Sequence, residues 1–434
     1  MPRKASKKVT SNEELSELSG RFLNAAFEAA RREFNDPNIV VAGEVNKIII
    51  GLPLPSLALE FLLQSTVLPL SRIIQVVGTE GTCKSGLCFE FARIFKEHSG
   101  IAFLLEAETK YAEDFATSII NGSSGAKDTM IHIPCTSLED WQKKALFTVE
   151  YCKNFMTKKT ADNPNPKGRI QPVLMILDSI MGKASEETQD KIIKAGYADR
   201  AFPLEAMKIT SFMRTFPQLL EKLPITFIAV NHLKPQKAEN GPHLERHKAG
   251  GRGISFQETI ELEMSKDRSP NIHLASDDSF EVGGLNLKIK CIKNGLGETG
   301  RAISARILWK HVYDETIDDT VQITKWDWDT STVRLLTSYE GSRKAKIDDI
   351  VDLHKSTKNT YWSRTLGITS SDPIPEVQMG QLINSNLEIR NALRRLFGIR
   401  NRREFEVGVD YVKQLEQMKS EIAQRLEAAE KNDG

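Results

Sequence analysis

Long apolar runs are missing from this sequence, and no stretch is long enough to span a bilayer as a helix. The first residues carry Arg3, Lys4, Lys7 and Lys8 with no apolar core behind them. They read as a basic tail rather than a signal peptide. Net charge is nearly absent as well: the formal value is +1 over 434 residues, so any nucleic-acid contact has to come from a local basic surface. Cysteine is sparse and unpatterned. Cys83, Cys88, Cys135, Cys152 and Cys291 form neither a disulfide framework nor a zinc spacing, which points to a reducing compartment, expected to be the cytoplasm. Internal repeats and low-complexity tracts are also lacking. What is present is an ordinary globular composition, 40% hydrophobic and 27% charged, in a length suited to one large domain plus a smaller one, or to two domains.

The chain is organised around Arg72 to Phe95. Ile73 to Val77 reads as a buried strand, and Leu87, Cys88, Phe91, Ile94 and Phe95 repeat at helical spacing. Between them lies Gly78-Thr79-Glu80-Gly81-Thr82-Cys83-Lys84-Ser85. A strand, a small-residue loop and a helix opening on Lys-Ser make a phosphate cradle, because backbone N–H groups and the helix dipole converge on bound negative charge. Lys84 is expected to reach the β- and γ-phosphates and Ser85 to hold Mg²⁺. One thing is lacking here too: Cys83 stands where the strict pattern has its second glycine, and a positive φ there would be unfavourable for a Cβ.

Further apolar runs, Ile101–Leu105, Met130–Pro134, Val173–Leu177 and Thr226–Val230, alternate with helical stretches at Glu113–Ile120, Leu138–Phe155 and Leu204–Leu223. That alternation predicts an α/β fold with a doubly wound, mostly parallel sheet, whose ligands bind beyond the carboxyl ends of the strands. Asp178, closing its strand, suits a Mg²⁺-directing acid. Glu106 and Glu108 each offer a carboxylate that could orient water for attack on a γ-phosphate, and only one is needed. Asn231-His232 closes the Thr226–Val230 strand, either as a γ-phosphate sensor or as a loop cap.

Two segments read as mobile, basic loops. Residues 182–203 carry Lys183, Lys191, Lys194 and Arg200; residues 233–253 carry Lys234, Lys237, Arg246, Lys248 and Arg252. Loops beyond about fifteen residues in a compact domain are usually functional or disordered, and this charge suits a phosphate backbone. Ser265 to Asp278 reads as a turn region. Leu285–Lys293 and Ile303–Trp309 read as a hairpin. After Trp309 the composition shifts: Thr320–Leu336 is strand-like with Trp326 and Trp328 on one face, and Ile347–His354, Met379–Phe397 and Val409–Lys431 are helical. Near the start, Leu15, Leu18, Phe22, Ala25, Ala26 and Ala29 share one face of a helix from about Glu13 to Phe34, which packs either on its own domain or on a neighbouring subunit.

In this order the parts resemble the RecA family of recombinases, and most its phage branch, typified by the recombinase of T-even phages. The likeness runs from about Leu15 to Trp309, strongly from Gly51 on. It rests on Gly78–Ser85, Phe103–Glu108, Phe115, Leu177-Asp178-Ser179, Val230-Asn231-His232, Gly250–Phe256 and Lys293-Asn294. The resemblance implies a RecA-type P-loop NTPase core over residues 51–310. Residues 1–50 would be an N-terminal helical oligomerisation segment, and 311–434 a small α+β C-terminal domain. It implies ATP and Mg²⁺ as cofactors, with Glu108 as catalytic base, Phe115 beside the adenine, His232 as γ-phosphate switch, and Lys293 reaching the ATP of the adjacent subunit. Gly295 replaces a second lysine of bacterial members, with Arg301 and Lys290 as candidates to stand in. The implied activity is a DNA-dependent ATPase that forms head-to-tail helical filaments on single-stranded DNA and pairs it with homologous duplex. Single-strand-binding and mediator proteins are further implied partners. A ring-shaped RecA-fold helicase and an ATP-gated scaffold with little hydrolysis are the rival readings.

Overall fold

The computed structural model describes residues 29, 33, 49–122, 130–159, 171–195, 201–237, 244–248, 253–273, 282–314, 319–357 and 359–432. The chain divides into two compact units, Ile50–Glu416 and a smaller one made of Met1–Ile49 with Gln417–Gly434. The expected helix Glu13–Phe34 lies outside the described residues, apart from Ala29 and Glu33, both helical and exposed.

The larger unit opens with β1 (Ile50–Pro53), α1 (Leu57–Leu63) and β2 (Val67–Pro69). Then follow β3 (Ile73–Gly78), α2 (Lys84–Glu97), β4 (Ile101–Glu106), α3 (Glu113–Asn121), β5 (Ile131–Pro134), α4 (Leu138–Thr157) and β6 (Val173–Asp178). Next come α5 (Glu186–Ala195), α6 (Ala201–Leu220), β7 (Ile225–Lys237), β8 (Leu244–Lys248), α7 (Gly253–Gln257), β9 (Ile260–His273), β10 (Val282–Asn294), β11 (Ala302–Asp314) and β12 (Asp319–Trp326). One large sheet takes the order β12-β11-β10-β9-β3-β7-β6-β4-β5, with β8 hanging off β7. The strands from β9 to β5 are mutually parallel, and β10, β11 and β12 add antiparallel strands at the far side. The fold is therefore mixed α/β with a large, mostly parallel sheet, as expected. Ile73–Gly78 and Val173–Leu177 are buried throughout, which is why they read as unbroken apolar runs rather than alternating ones. Ser56 and Ser137 start their helices by accepting from Leu59 N and Asp140 N.

Several expectations need correction. The segment 182–203 is not an open loop: α5 occupies much of it, α6 starts at Ala201, and residues 196–200 lie outside the described set. The segment 233–253 is a hairpin root, since β7 runs on to Lys237 and pairs with β8. Polar Ser265 to His273 continues β9, held by backbone pairing to β10 across bulges; residues 274–278 lie outside the described set. Cross-strand hydrogen bonds here override composition, which reports only side-chain polarity.

The composition shift after Trp309 falls within the main sheet. Both β11 and β12 belong to the main sheet. Asp327 then ends the strand by capping α8 (Trp328–Thr337) through Thr330 N at 3.0 Å. Trp326 and Trp328 do lie together, stacked at 5.0 Å, but one ends a strand and the other opens a helix. The remaining elements are α9 (Gly341–Val351), β13 (Leu353–Lys355), β14 (Thr360–Ser363), β15 (Ile374–Pro375), α10 (Glu376–Ser385), α11 (Leu387–Phe397), β16 (Arg403–Glu404) and α12 (Tyr411–Asn432). Much of this segment clamps the start of the unit. β16 pairs with β1, and the fully buried Glu60 of α1 accepts from Arg390 at 2.6 Å and from Arg394 Nε at 2.8 Å.

That clamp can be tested. Removing one partner of a buried ion network strands the others, so Glu60→Ala is expected to lower unfolding stability by about 3–5 kcal/mol. The check is urea unfolding; a change below about 1 kcal/mol would mean the network behaves like a surface pair.

Candidate functional site

β3, β6 and β4 end along one edge of the sheet, where β7 passes His232 and runs on into the hairpin. Gly78 lies opposite His232, and Glu106 opposite Asp178, so four parallel strands deliver one set of polar groups to that edge. Between them opens a cleft of about 290 Å³. Its floor is the loop from Glu80 to Ser85 with the start of α2. Its walls include Glu108, Phe115, Asp178 and His232.

The loop closes on itself. Thr82 Oγ1 donates to Thr79 O at 2.8 Å, and Lys84 Nζ reaches back to the same carbonyl at 2.9 Å. Burial pulls the Lys84 ammonium below its ordinary range, while Asp178 and Glu108 hold it up. Cys83 adopts φ 58°, ψ 36°, the left-handed conformation that the missing glycine would have taken freely. Desolvation pushes its thiol up to about 12, so it stays protonated at neutral pH. Gly86 explains how the bulkier residue is housed. A Cβ there would lie 2.4 Å from Cys83 Sγ and 3.3 Å from Phe115 Cζ. Gly78 is equally confined, by Met264 O at 2.6 Å and Thr82 Oγ1 at 2.7 Å.

Ser85 Oγ donates to Asp178 Oδ2. Burial pushes the Asp178 carboxyl up, against the Ser85 hydrogen bond that pulls it down. A hydroxyl beside a desolvated carboxylate is a donor set that fits a hard divalent cation, whose charge would offset that burial.

The two glutamates part company. Glu106 Oε1 accepts from Lys110 N at 2.6 Å and Tyr111 N at 3.0 Å, and Oε2 meets His132 Nε2 at 3.1 Å, so its carboxylate shapes the 107–111 turn. Glu108 faces the cleft: Oε1 accepts from Ser179 Oγ and from His232 Nε2, the latter at 2.5 Å. The His232 hydrogen bond, helped by Ser179 and opposed by burial, brings the Glu108 carboxyl down to about 2. Sequence reasoning missed Lys110, whose ammonium lies 3.7 Å from Glu108 and 3.9 Å from Glu80, and Tyr111, which lines the cleft and stacks on His132 at 4.6 Å. It also missed the backing of the loop by Trp326, whose Nε1 donates to Gly86 O at 3.0 Å. Neither spacing nor composition signals these contacts.

The basic residues scatter. Lys183 Nζ donates to Thr109 Oγ1 at 2.7 Å; Lys191 and Lys194 lie exposed on α5, Lys191 paired with Glu187 at 2.7 Å. Lys234, Lys237 and Arg246 lie on the β7–β8 hairpin, but their side chains, with Arg200 and Arg252 altogether, are outside the described residues. Lys248, expected on a DNA surface, instead turns its ammonium into the fold, onto Glu261 Oε2 at 2.5 Å. Lys293 does not line the cleft; its Nζ donates to Ser255 O at 2.6 Å. Arg301 pairs with Glu298 and donates to Phe397 O at 3.0 Å.

Protein RecA of Campylobacter lari is 24% identical over 278 residues, 63% of this chain and 70% of that protein. Protein RecA of Thermus thermophilus is 21% identical over 309 residues, 70% and 80%. Protein RecA of Lactococcus lactis subsp. cremoris is 22% identical over 301 residues, 67% and 69%. These likenesses support a RecA-family relationship. No family model matches the chain. Among the described residues no helix is long and apolar enough to cross a membrane, and all five cysteines are free.

The depressed Glu108 carboxyl makes a pH prediction. Its folded value lies below the ordinary 4.5, so the stability it contributes is present above about pH 4.5 and lost as the pH falls toward about 2. The stability advantage of the parent over Glu108→Gln should therefore shrink between about pH 6 and about pH 3 in denaturant unfolding. An advantage that grows on acidification would contradict the Glu108–His232 contact.

Proposed function

We propose that this chain is a DNA-dependent ATPase of the RecA type. On this reading it assembles head to tail into helical filaments on single-stranded DNA and drives homologous pairing and strand exchange with duplex DNA. The observation that supports it most is the Glu108–His232 hydrogen bond. It joins a carboxylate suited to positioning water to the residue from which the basic hairpin springs. We place the chain in the phage-type branch on Cys83 and His232, and its setting in a reducing cytoplasm, the host's if phage-encoded. Residues 13–34 would dock on the neighbouring subunit.

ATP is the substrate. Backbone N–H groups at the start of α2 and the Lys84 ammonium would take the β- and γ-phosphates, and Phe115 would pack beside the base. Ser85 and Asp178 would hold Mg²⁺, which when bound neutralises charge on the phosphate oxygens. Glu108 would orient a water in line with the γ-phosphorus. The new O–P bond forms as the bond to the ADP oxygen breaks, and the water's proton passes to Glu108. Bonded to His232, Glu108 is a weak base. If His232 turns its N–H to a γ-phosphate oxygen, the carboxylate is released for water, and the movement is passed to β7 and the hairpin. Lys293 from the next subunit would stabilise charge developing on that phosphate. Lys191 and Lys194 with exposed Ile193 on α5, and Lys183 before it, would complete the DNA surface with the hairpin lysines.

A second reading, an ATP-gated single-strand-binding scaffold, draws on Gly295 and on Arg301 being engaged elsewhere. ATP turnover separates the two. Single-stranded DNA should stimulate hydrolysis strongly, Glu108→Gln should lower kcat by about 10²–10⁴-fold with ATP still bound, and Lys84→Ala should lose both binding and turnover. Micrographs of the DNA complex should show filaments. DNA-independent inactivity would favour the scaffold, and discrete rings a helicase.

A further inference from the structure

Lys248 closes β8, opposite Leu233 on β7. Its ammonium sits in a cage of oxygens: Gln75 Oε1 at 3.3 Å, Ser255 Oγ at 3.0 Å, Glu261 Oε2 at 2.5 Å and Glu258 Oε1 at 3.6 Å. The acids are deep: the Glu258 side chain is 0% exposed and that of Glu261 6%. Neither Glu258 oxygen has a hydrogen-bond partner among the described residues. Burial, and then the neighbouring Glu261 carboxylate, push the Glu258 carboxyl well above its ordinary value. Lys293 closes the same region from another strand through Ser255 O. Pushed up to about 8, Glu258 is uncharged at neutral pH, so the buried charge that Lys248 offsets is the Glu261 carboxylate; removing the ammonium strands that charge, which is far more unfavourable than never having built the pair.

The position of the cage matters. Gln75 lies upstream of Gly78 on β3 and pairs in register with Glu261. Leu233, across from Lys248, directly follows His232, which lies beside Gly78. The hairpin is thus tied to the phosphate-loop strand twice, once at His232 and once through Lys248.

We propose that Lys248 is a positioning residue that locks the root of the β7–β8 hairpin to the strand carrying the phosphate loop, and is not a ligand of a DNA phosphate. This rests on the reading of the hairpin as a DNA-contacting element. A phosphate ligand adds to counterion release and steepens the salt dependence of binding; an ammonium already held by the protein's own carboxylate does not.

The test compares the full-length parent with Lys248→Met and with Lys248→Met/Glu258→Gln/Glu261→Gln. Without nucleotide or DNA, Lys248→Met should melt lower than the parent and the triple variant should recover, since it no longer buries an unpaired carboxylate. Affinity for oligothymidylate against salt should keep the parent's slope. A slope shallower by about 0.7, one phosphate contact on a single strand, would overturn the proposal. The ratio of affinities with a non-hydrolysable ATP analogue and with ADP should fall about threefold or more in both variants. An unchanged ratio would overturn the proposal, as would an unchanged melting temperature for Lys248→Met. If Lys248→Met does not fold, the triple variant carries the slope and the ratio. A parent that binds no oligothymidylate in any nucleotide state would overturn the DNA reading itself, while the melting series would still judge the cage.

Discussion

The register of the parallel strands is the constraint on which everything else depends. Gly78 opposite His232 and Glu106 opposite Asp178 fix which residues of four strands reach one edge, and therefore which side chains meet. A shift of one residue on β6 would turn Asp178 to the other face and leave Ser85 without its acceptor. Burial on both faces of the central strands is what holds that register, because slippage would expose apolar side chains and orphan backbone groups.

From this edge the chemistry divides by partner, not by residue type. Glu106 and Glu108 are both glutamates on one short turn, yet one is consumed by backbone N–H groups and the other is held by the side chains of Ser179 and His232, with Lys110 at 3.7 Å. A carboxylate whose main partner is a switchable imidazole can be released; one bonded to the backbone cannot. Lys248 makes the complementary point. A lysine in a basic segment looks like a phosphate ligand, but a cage of buried oxygens makes it part of the frame. On the proposed reading, His232 moves and Lys248 stays, and the hairpin pivots between them.

Much of this was legible in the residues. The strand Ile73–Val77 and the apolar run ending at Asp178 follow from local periodicity, and the sheet bears these strands out. What was not legible is long-range. The β9 strand through Ser265–His273 exists because β10 pairs with it, although its side chains read as a turn. The segment after Trp309 looked separate because its composition shifts, yet β12 completes the sheet, Trp326 supports Gly86, and Arg390 and Arg394 neutralise Glu60. The left-handed Cys83 was foreseen as a difficulty; its resolution, a glycine at 86 making room for the thiol, needs the folded loop to be seen.

The central claim is that a triphosphate in the cleft changes the hairpin through His232. The most direct measurement is amide hydrogen exchange over Leu233–Lys237 and Leu244–Lys248, compared without nucleotide, with ADP and with a non-hydrolysable ATP analogue. The account predicts that the analogue slows exchange there while ADP leaves it near the nucleotide-free rate, and that His232→Ala removes the difference. Identical exchange in all three states, with nucleotide binding confirmed, would contradict it.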